Sequence, residues 1–447
     1  MAKLKREIGL FEVTLFGIGV IVGAGIFALI GPAAGIAGNS LWISFIVAAI
    51  VSTFTGLSYA ELSTMYPKAA AEYVYVLKAW HSRSLAFIIG WLIIITGVVS
   101  VAAVSLGFAG YFNTMVANFA FPSMDAAAVK IFSADYIVLS AAGLVAAMSF
   151  VSFLGIKESS RVNILLTGIE IAGLVLIIIL GFVFGNFNKN FFAGPGPAGN
   201  FDFNAVLVAA ALIFFAYIGF EDIANISEEA KNPKKVLPMA LMIAIAGTTL
   251  LYVLISVATI SLVDAKDLAG SSAPLAYAAS RTPLGANVDL FISFTALFAT
   301  SGTVLIILVV SARMIYGMSK EGSLPKKLSH VHHKTHTPWI AVIAVMIISL
   351  VFVTLRDLEL VAKITSLTAL MSFAVVNGSL IWLRYKQPNT NRPFKAPLNI
   401  GKLPLTALLG LLSCSILIFR FDTQLLTFGV GVIILGLAIY KSKDDIL

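Results

Sequence analysis

Twelve apolar runs, each long enough to cross a bilayer, take up most of this 447-residue chain. They lie at roughly 11–36, 40–65, 84–112, 136–154, 162–185, 204–227, 237–263, 290–316, 338–355, 358–383, 403–419 and 424–440. About 20 apolar residues span the hydrocarbon core as a helix. In lipid every backbone polar group must be satisfied inside the element, which commits each run to helix. The expected fold class is an all-α polytopic membrane protein with twelve transmembrane helices. Composition points the same way: 59% of residues are hydrophobic and 12% charged, against about half and a quarter in soluble domains. The longest connections, near 113–135 and 264–289, are too short to fold alone. One transmembrane domain over 1–447 is therefore expected. The start, "MAKLKREIGL", is basic, but the run behind it is too long for a cleaved signal, so the first span should stay as an anchor.

The 30 basic residues are distributed unevenly. With the N-terminus inside, only Lys130, Lys189, Lys266, Arg281, Arg356, Lys363 and Arg420 fall in outer segments. The others, from Lys3, Lys5 and Arg6 through Lys68 to Lys443, fall inside. This bias predicts cytoplasmic N- and C-termini. It accounts for the net charge of +8 without a nucleic-acid partner. The single cysteine, Cys414, excludes an intrachain disulfide and reads as a small buried side chain.

Two spans carry internal faults. In the first, "GVIVGAGIF" puts Gly19, Gly23 and Gly25 mid-span, although glycine costs roughly 1 kcal/mol relative to alanine in a helix. In the sixth, Gly219 is followed closely by Glu221 and Asp222, and charges within a span usually face a cavity. A glycine cluster alone also suits close helix packing. Two faults five spans apart instead suggest inverted repeats with weakened segments at corresponding positions. The repeats would cover about 11–185 and 204–383, with 403–440 added. Half-helix N-termini offer N–H donors to a carboxylate, and C-terminal ends offer carbonyls to an ammonium or a cation. A zwitterionic amino acid presents both groups.

Several ordered stretches carry a resemblance over nearly the whole chain: "GVIVGAGIF", "YAELSTMYPKAAAEYVYVLKAW", "GFEDIANISEEAKNPKKVLP", "SARMIYGMSKEGSLPKKLSHVHHKTHTP" and "RPFKAP". In these the chain resembles the amino acid–polyamine–organocation permeases, and among them the prokaryotic amino acid permeases. The resemblance implies a five-plus-five inverted repeat with broken spans 1 and 6, plus spans 11 and 12, working by alternating access. It implies that the amides around Gly23, Ala24, Gly25 and Ile26 hold the substrate carboxylate. The carbonyls around Ile21, Phe215, Ala216 and Ile218, next to Gly219, would hold its amine. Phe215 matches an aromatic that covers the site, with Tyr217 beside it; a packed apolar side chain is the plainer reading of Phe215. The chain departs from the family in having Ala70 and Ala71 where a glycine pair is usual.

Three acidic residues lie inside spans. Glu61, in "YAEL", is expected to be structural, reaching the interface or pairing with a loop base. Glu221 is either a proton carrier or a fixed acceptor tying down the break. Glu170 lies ~17 Å along its helix at 1.5 Å per residue, where some proton-coupled relatives carry a lysine. A carboxylate there is a proton carrier, a cation ligand or a structural acceptor, and proton coupling is the expectation. Sodium, the lesser expectation, would use carbonyls of Gly19 and Val22 with the hydroxyls of Thr300 and Ser301, although span hydroxyls commonly bond their own backbone. The four histidines His330, His332, His333 and His336 read as a solvated loop, with a metal site as the sharper alternative.

The expected function is secondary transport of amino acids at the cytoplasmic membrane, most simply proton-linked uptake. Gradient-independent exchange and polyamine or cation carriage are the alternatives. A channel would want a carbonyl ring or charged rings, and an enzyme would want a nucleophile or metal set within the spans; neither pattern is present. No cofactor is expected. The expected partners are the substrate and the lipid bilayer, and the state, monomer or homodimer, is open. The midplanes of spans 3, 8 and 10 are mostly apolar, which favours neutral amino acids, with cationic ones next.

Overall fold

The structure is a computed structural model that describes residues 9–67, 70–120, 126–196, 199–225, 231–335 and 337–446. Lys3, Lys5, Arg6, Lys68 and His336 lie outside the described residues. The chain is almost wholly helical. A helix or a broken pair stands over every apolar run, because each run is apolar on all faces and has only its own backbone as hydrogen-bond partner. Among the described residues, nine helices are long and apolar enough to cross a membrane, and three shorter apolar helices accompany them.

The first run is split into α1 (Leu10–Ile21) and α2 (Ala24–Ala37), and the second is α3 (Leu41–Met65). A connecting helix, α4 (Ala71–Trp80), leads to α5 (Arg83–Ala120), α6 (Ala126–Leu154) and α7 (Ile156–Phe184). The sixth run is divided between α8 (Phe203–Ile213) and the short α9 (Asp222–Asn225). Next come α10 (Pro233–Leu262), two connecting helices α11 (Ala265–Ala269) and α12 (Pro274–Ser280), and α13 (Ala286–Lys320). The chain ends with α14 (Trp339–Val353), α15 (Leu358–Lys386), a two-residue hairpin at Asn399–Pro404, α16 (Leu405–Ile418) and α17 (Thr423–Ile446).

Three packings place the site. The long α5 lies against α6, α13 and α15. The broken first span leans on α10 and α8, and α7 is wedged against α13 and α10. At the end of the bundle away from α4, α11 and α12 lie over α2. There Tyr111 of α5 donates its hydroxyl to Phe27 O at 3.0 Å and accepts from Leu275 N at 3.2 Å. These two bonds tie α5, α2 and α12 together across that end.

At the α4 end, Glu61 is completely buried. Arg384 of α15 grips it through two bonds, Nε to Oε1 at 2.8 Å and Nη2 to Oε2 at 2.6 Å. Arg392 Nε sits 3.0 Å from Oε1 as an ion pair, and Ala396 N donates to Oε2 at 2.8 Å. Glu61 is thus the structural carboxylate expected, paired with a basic residue of the "RPFKAP" loop and with a second one in the last turn of α15. It fastens two distant spans together at the α4 end.

Candidate substrate site between two broken spans

The first break needs only two residues. Val22 turns out of helix at ψ 68°, Gly23 is extended at φ −111°, ψ −154°, and α2 begins at Ala24. Gly23 N returns to Ile21 O at 2.8 Å. Because the N-cap is glycine, no side chain covers the first amides of α2, those of Ala24, Gly25 and Ile26. An uncapped helix start presents N–H donors and the positive end of the helix dipole. In the sixth span, α8 tightens into a 3-10 turn over Phe214–Tyr217, Ile218 is extended, and Gly219 adopts φ 118°. Only glycine takes that backbone readily.

The two breaks touch, and glycine makes the contact possible. A Cβ on Gly25 would stand 2.6 Å from Ala216 Cα, and one on Gly219 would stand 2.7 Å from Val20 Cγ1. A Cβ on Gly23 would strike the Thr303 hydroxyl of α13. Gly19 faces elsewhere: its Cβ would meet Thr167 of α7 at 3.0 Å.

Tyr252 of α10 joins the breaks from the side. Its hydroxyl is 2.7 Å from Ile21 O and 2.9 Å from Ala216 O. One hydroxyl carries one proton, so it alternates between the two carbonyls or shares its proton with both. Ile21 O, also taken by Gly23 N, then has both lone pairs engaged. Phe215 O accepts from Ile218 N at 3.2 Å and keeps one lone pair. Of the carbonyls assigned to an amine, Ile21 O is therefore the most engaged, with two donors against one each at Ala216 O and Phe215 O.

A cavity opens beside the breaks. Its wall includes Ile21, Gly23, Gly25, Phe215, Ala216, Ile218 and Gly219, with Thr303 beside them. It continues along the halves of α5 and α13 that lie nearer Arg83 and Lys320, past Ile93, Thr96, Ile307 and Met314, to Glu72 on α4. The cavity thus reaches from mid-bundle toward the α4 end, while the Tyr111 bonds close the other end. Tyr217 does not line it; its side chain turns into α3 and donates to Phe45 O at 3.0 Å.

Glu170 is 2% exposed, and its Oε1 has no hydrogen-bond partner among the described residues. Thr167 meets Gly19 of α1, and Gly173 meets Thr295 of α13. Residues three apart share a helix face, so Glu170 faces the seam between α1 and α13. The hydroxyls of Thr300 and Ser301 bond their own helix at Ala296 O and Leu297 O, both at 2.7 Å. Glu221 accepts from Gly219 N at 2.9 Å and so caps the second break. His330, His332 and His333 lie in a loop, with the His332 ring 5.1 Å from that of Phe153. No cluster of metal-ligating side chains occurs among the described residues.

Residues 8–437 match the amino acid permease family. The chain belongs to that family. The permease is 34% identical over 444 residues to the branched-chain amino acid permease BcaP of Bacillus subtilis (strain 168), covering 98% of this chain and 93% of that one. It is 30% identical to the methylthioribose transporter of the same organism, over 88% of this chain and 85% of the other. It is 30% identical to the human cystine/glutamate transporter, over 97% and 83%. This is a multi-pass membrane protein that transports amino acids, and it is not an enzyme.

Two residues escaped sequence reading: Tyr252, which bonds the breaks from outside the cavity wall, and Glu72, which lines it. Tyr252 sits in an unbroken span with nothing in its neighbourhood to mark it. Glu72 sits in "AAEYVYVL", a stretch that stands out in the sequence only by its family resemblance. Burial pushes the Glu72 carboxyl above the usual carboxylate range, with its own N–H and the Tyr59 hydroxyl opposing the shift.

Proposed function

We propose that this permease takes up neutral amino acids across the plasma membrane by alternating access, driven by protons, with both termini in the cytoplasm. The observation that carries the reading is the contact between two broken spans at one end of a cavity. The uncapped amides of Ala24, Gly25 and Ile26 hold the substrate carboxylate, and the carbonyls of Phe215 and Ile218 hold its ammonium group. An ammonium that also takes Ile21 O or Ala216 O displaces the Tyr252 hydroxyl. Neutral side chains are supported by the apolar wall of Ile93, Ile307, Val310 and Met314. The name of the Bacillus subtilis branched-chain relative favours the same class.

The charge bias assigns the α4 end to the cytoplasm, so this conformation is inward-facing. The two halves, about 11–185 and 204–383, act as opposed repeats with one broken span each. Protons are favoured over sodium because Glu170 is a buried carboxylate with an unpartnered oxygen. The hydroxyls that sodium would need, Thr300 and Ser301, already bond their own backbone.

The test is uptake of a labelled amino acid panel into proteoliposomes under imposed pH or sodium gradients, and in counterflow without either. Stimulation by an inward proton gradient, lost in Glu170→Gln, is expected. Transport seen only as counterflow would make the permease an exchanger and overturn the coupling. No uptake of any amino acid would overturn the site assignment.

A further inference from the structure

Charge is distributed unevenly along the cavity. Along the broken spans up to Gly219 the wall carries no charged residue. Toward the α4 end, Glu72, Glu221 and Asp222 share it, and no Lys, Arg or His lines it among the described residues. Glu221 already accepts from Gly219 N. Glu72 is different: it is 1% exposed, its Oε1 accepts the Tyr59 hydroxyl at 3.0 Å, and its Oε2 has no partner among the described residues. A buried acceptor left without a donor is unfavourable, and more so when charged.

The surroundings hold Glu72 in place. Tyr73, the next residue on α4, is tied through its hydroxyl to Ser323 Oγ at 3.1 Å. The Tyr59 ring meets Phe220, the residue before Glu221, at 5.8 Å edge-on. Glu72 and Glu221 are thus linked through one tyrosine, on a cavity wall that leads away from the substrate's amine site. An ammonium group brings three N–H donors and a positive charge to such a place.

We propose that Glu72, with Glu221 and Asp222, forms a second ammonium-binding station on the buried wall at the α4 end of the cavity. The substrate's ammonium rests there after leaving the carbonyls of the broken spans. This rests on the substrate reading above. The ammonium comes either from the α-amino group, common to every amino acid, or from the side chain of a dibasic one.

The experiment compares wild type, Glu72→Gln and Tyr59→Phe in proteoliposomes, with a neutral and a dibasic amino acid as substrates over a pH series. Glu72→Gln keeps the shape and can still accept from Tyr59, but it loses the charge. An increase in KM of tenfold or more is expected, while Tyr59→Phe stays within about twofold of wild type. An equal loss for both substrates identifies the α-ammonium, and a loss confined to the dibasic one identifies the side chain. Wild-type KM in Glu72→Gln overturns the station. So does an equal defect in Tyr59→Phe, which makes Glu72 a mere acceptor for that hydroxyl, or a changed pH profile at constant KM, which makes it a proton site. Should Glu72→Gln fail to fold, thermal shift of the wild type by butylammonium against butanol decides, and no stabilisation by the amine refutes the proposal. Failure of wild-type uptake itself would sink the transport reading instead.

Discussion

Replacing Gly25 by alanine tests the contact on which the site rests. The added Cβ would lie 2.6 Å from Ala216 Cα and 2.7 Å from its Cβ. Carbon atoms rest ~3.5–4.0 Å apart, so the two breaks must part by about 1 Å. Neither side yields cheaply, because Ala216 meets the new methyl with backbone and Cβ, which no rotamer change can move. Overpacking of this kind costs about 1–3 kcal/mol. A displacement near 1 Å in a set of positioning groups costs on the order of 100-fold. Gly25→Ala should therefore reach the membrane as a monodisperse protein and lose about 100-fold in uptake, with Gly25→Leu worse. The control is Gly143→Ala on α6, where a Cβ meets nothing within 4 Å and uptake should be unchanged. The assay is initial-rate uptake in proteoliposomes normalised to protein. Wild-type KM and rate in Gly25→Ala would refute the reasoning, because the breaks would then not need to touch.

Tyr252→Phe removes the hydroxyl that fills Ile21 O and Ala216 O. It should cost about 1 kcal/mol of stability and lower KM a few-fold, since the ammonium no longer competes with it; a raised KM would mean that the hydroxyl shapes the cradle instead. Glu61→Gln leaves the buried Arg384 and Arg392 without a counter-charge, and breaking a buried pair costs about 3–5 kcal/mol. Denaturation in detergent should show that loss, and an unchanged melting curve would contradict the clamp. Ala70 adopts φ 56°, ψ 50°, a left-handed conformation that costs a non-glycine residue about 1–2 kcal/mol. Ala70→Gly should gain a little under 1 kcal/mol net of glycine's greater unfolded freedom, with uptake unchanged; a lower melting temperature would show the strain to be absent.

Much of the fold was legible because lipid leaves so few options. Long apolar runs can only be helices, and several helix boundaries fell within a few residues of where hydropathy stops, as at Leu41–Met65 and Leu358–Lys386, whereas α5 runs on to Ala120 and α6 already starts at Ala126, well beyond their apolar runs. The connecting helices α4, α11 and α12 were less legible. They carry no spanning run, and they form because they cover ends of the bundle, a tertiary reason that hydropathy does not contain. The departure at Ala70 was visible as a missing glycine, but its meaning was not. Only the observed positive φ shows that the family's usual glycine answers a backbone need at that place.

The site divides along the same physical line. Breaks are written into sequence, because glycine and charge inside an apolar run contradict helix formation locally, and Gly23, Gly25, Gly219 and Glu221 could be named from that contradiction alone. What lines a cavity between helices depends on which faces meet, and nothing local marks it. Tyr217 stands next to Ala216 in sequence yet turns away to Phe45 O, whereas Tyr252, from a distant span, reaches Ile21 O and Ala216 O. Thr303 meets Gly23, while Thr300 and Ser301, on the same helix, bond backward along their own turns. Glu170 was singled out by its depth and by the lysine that some proton-coupled relatives carry at its position. Its position toward the α1–α13 seam comes from the small residues one turn to either side, Thr167 against Gly19 and Gly173 against Thr295, which let three helices close around one carboxylate. A carboxylate placed in that seam can respond to changes in the first break, because Gly19 and Gly23 stand on the same short stretch of chain.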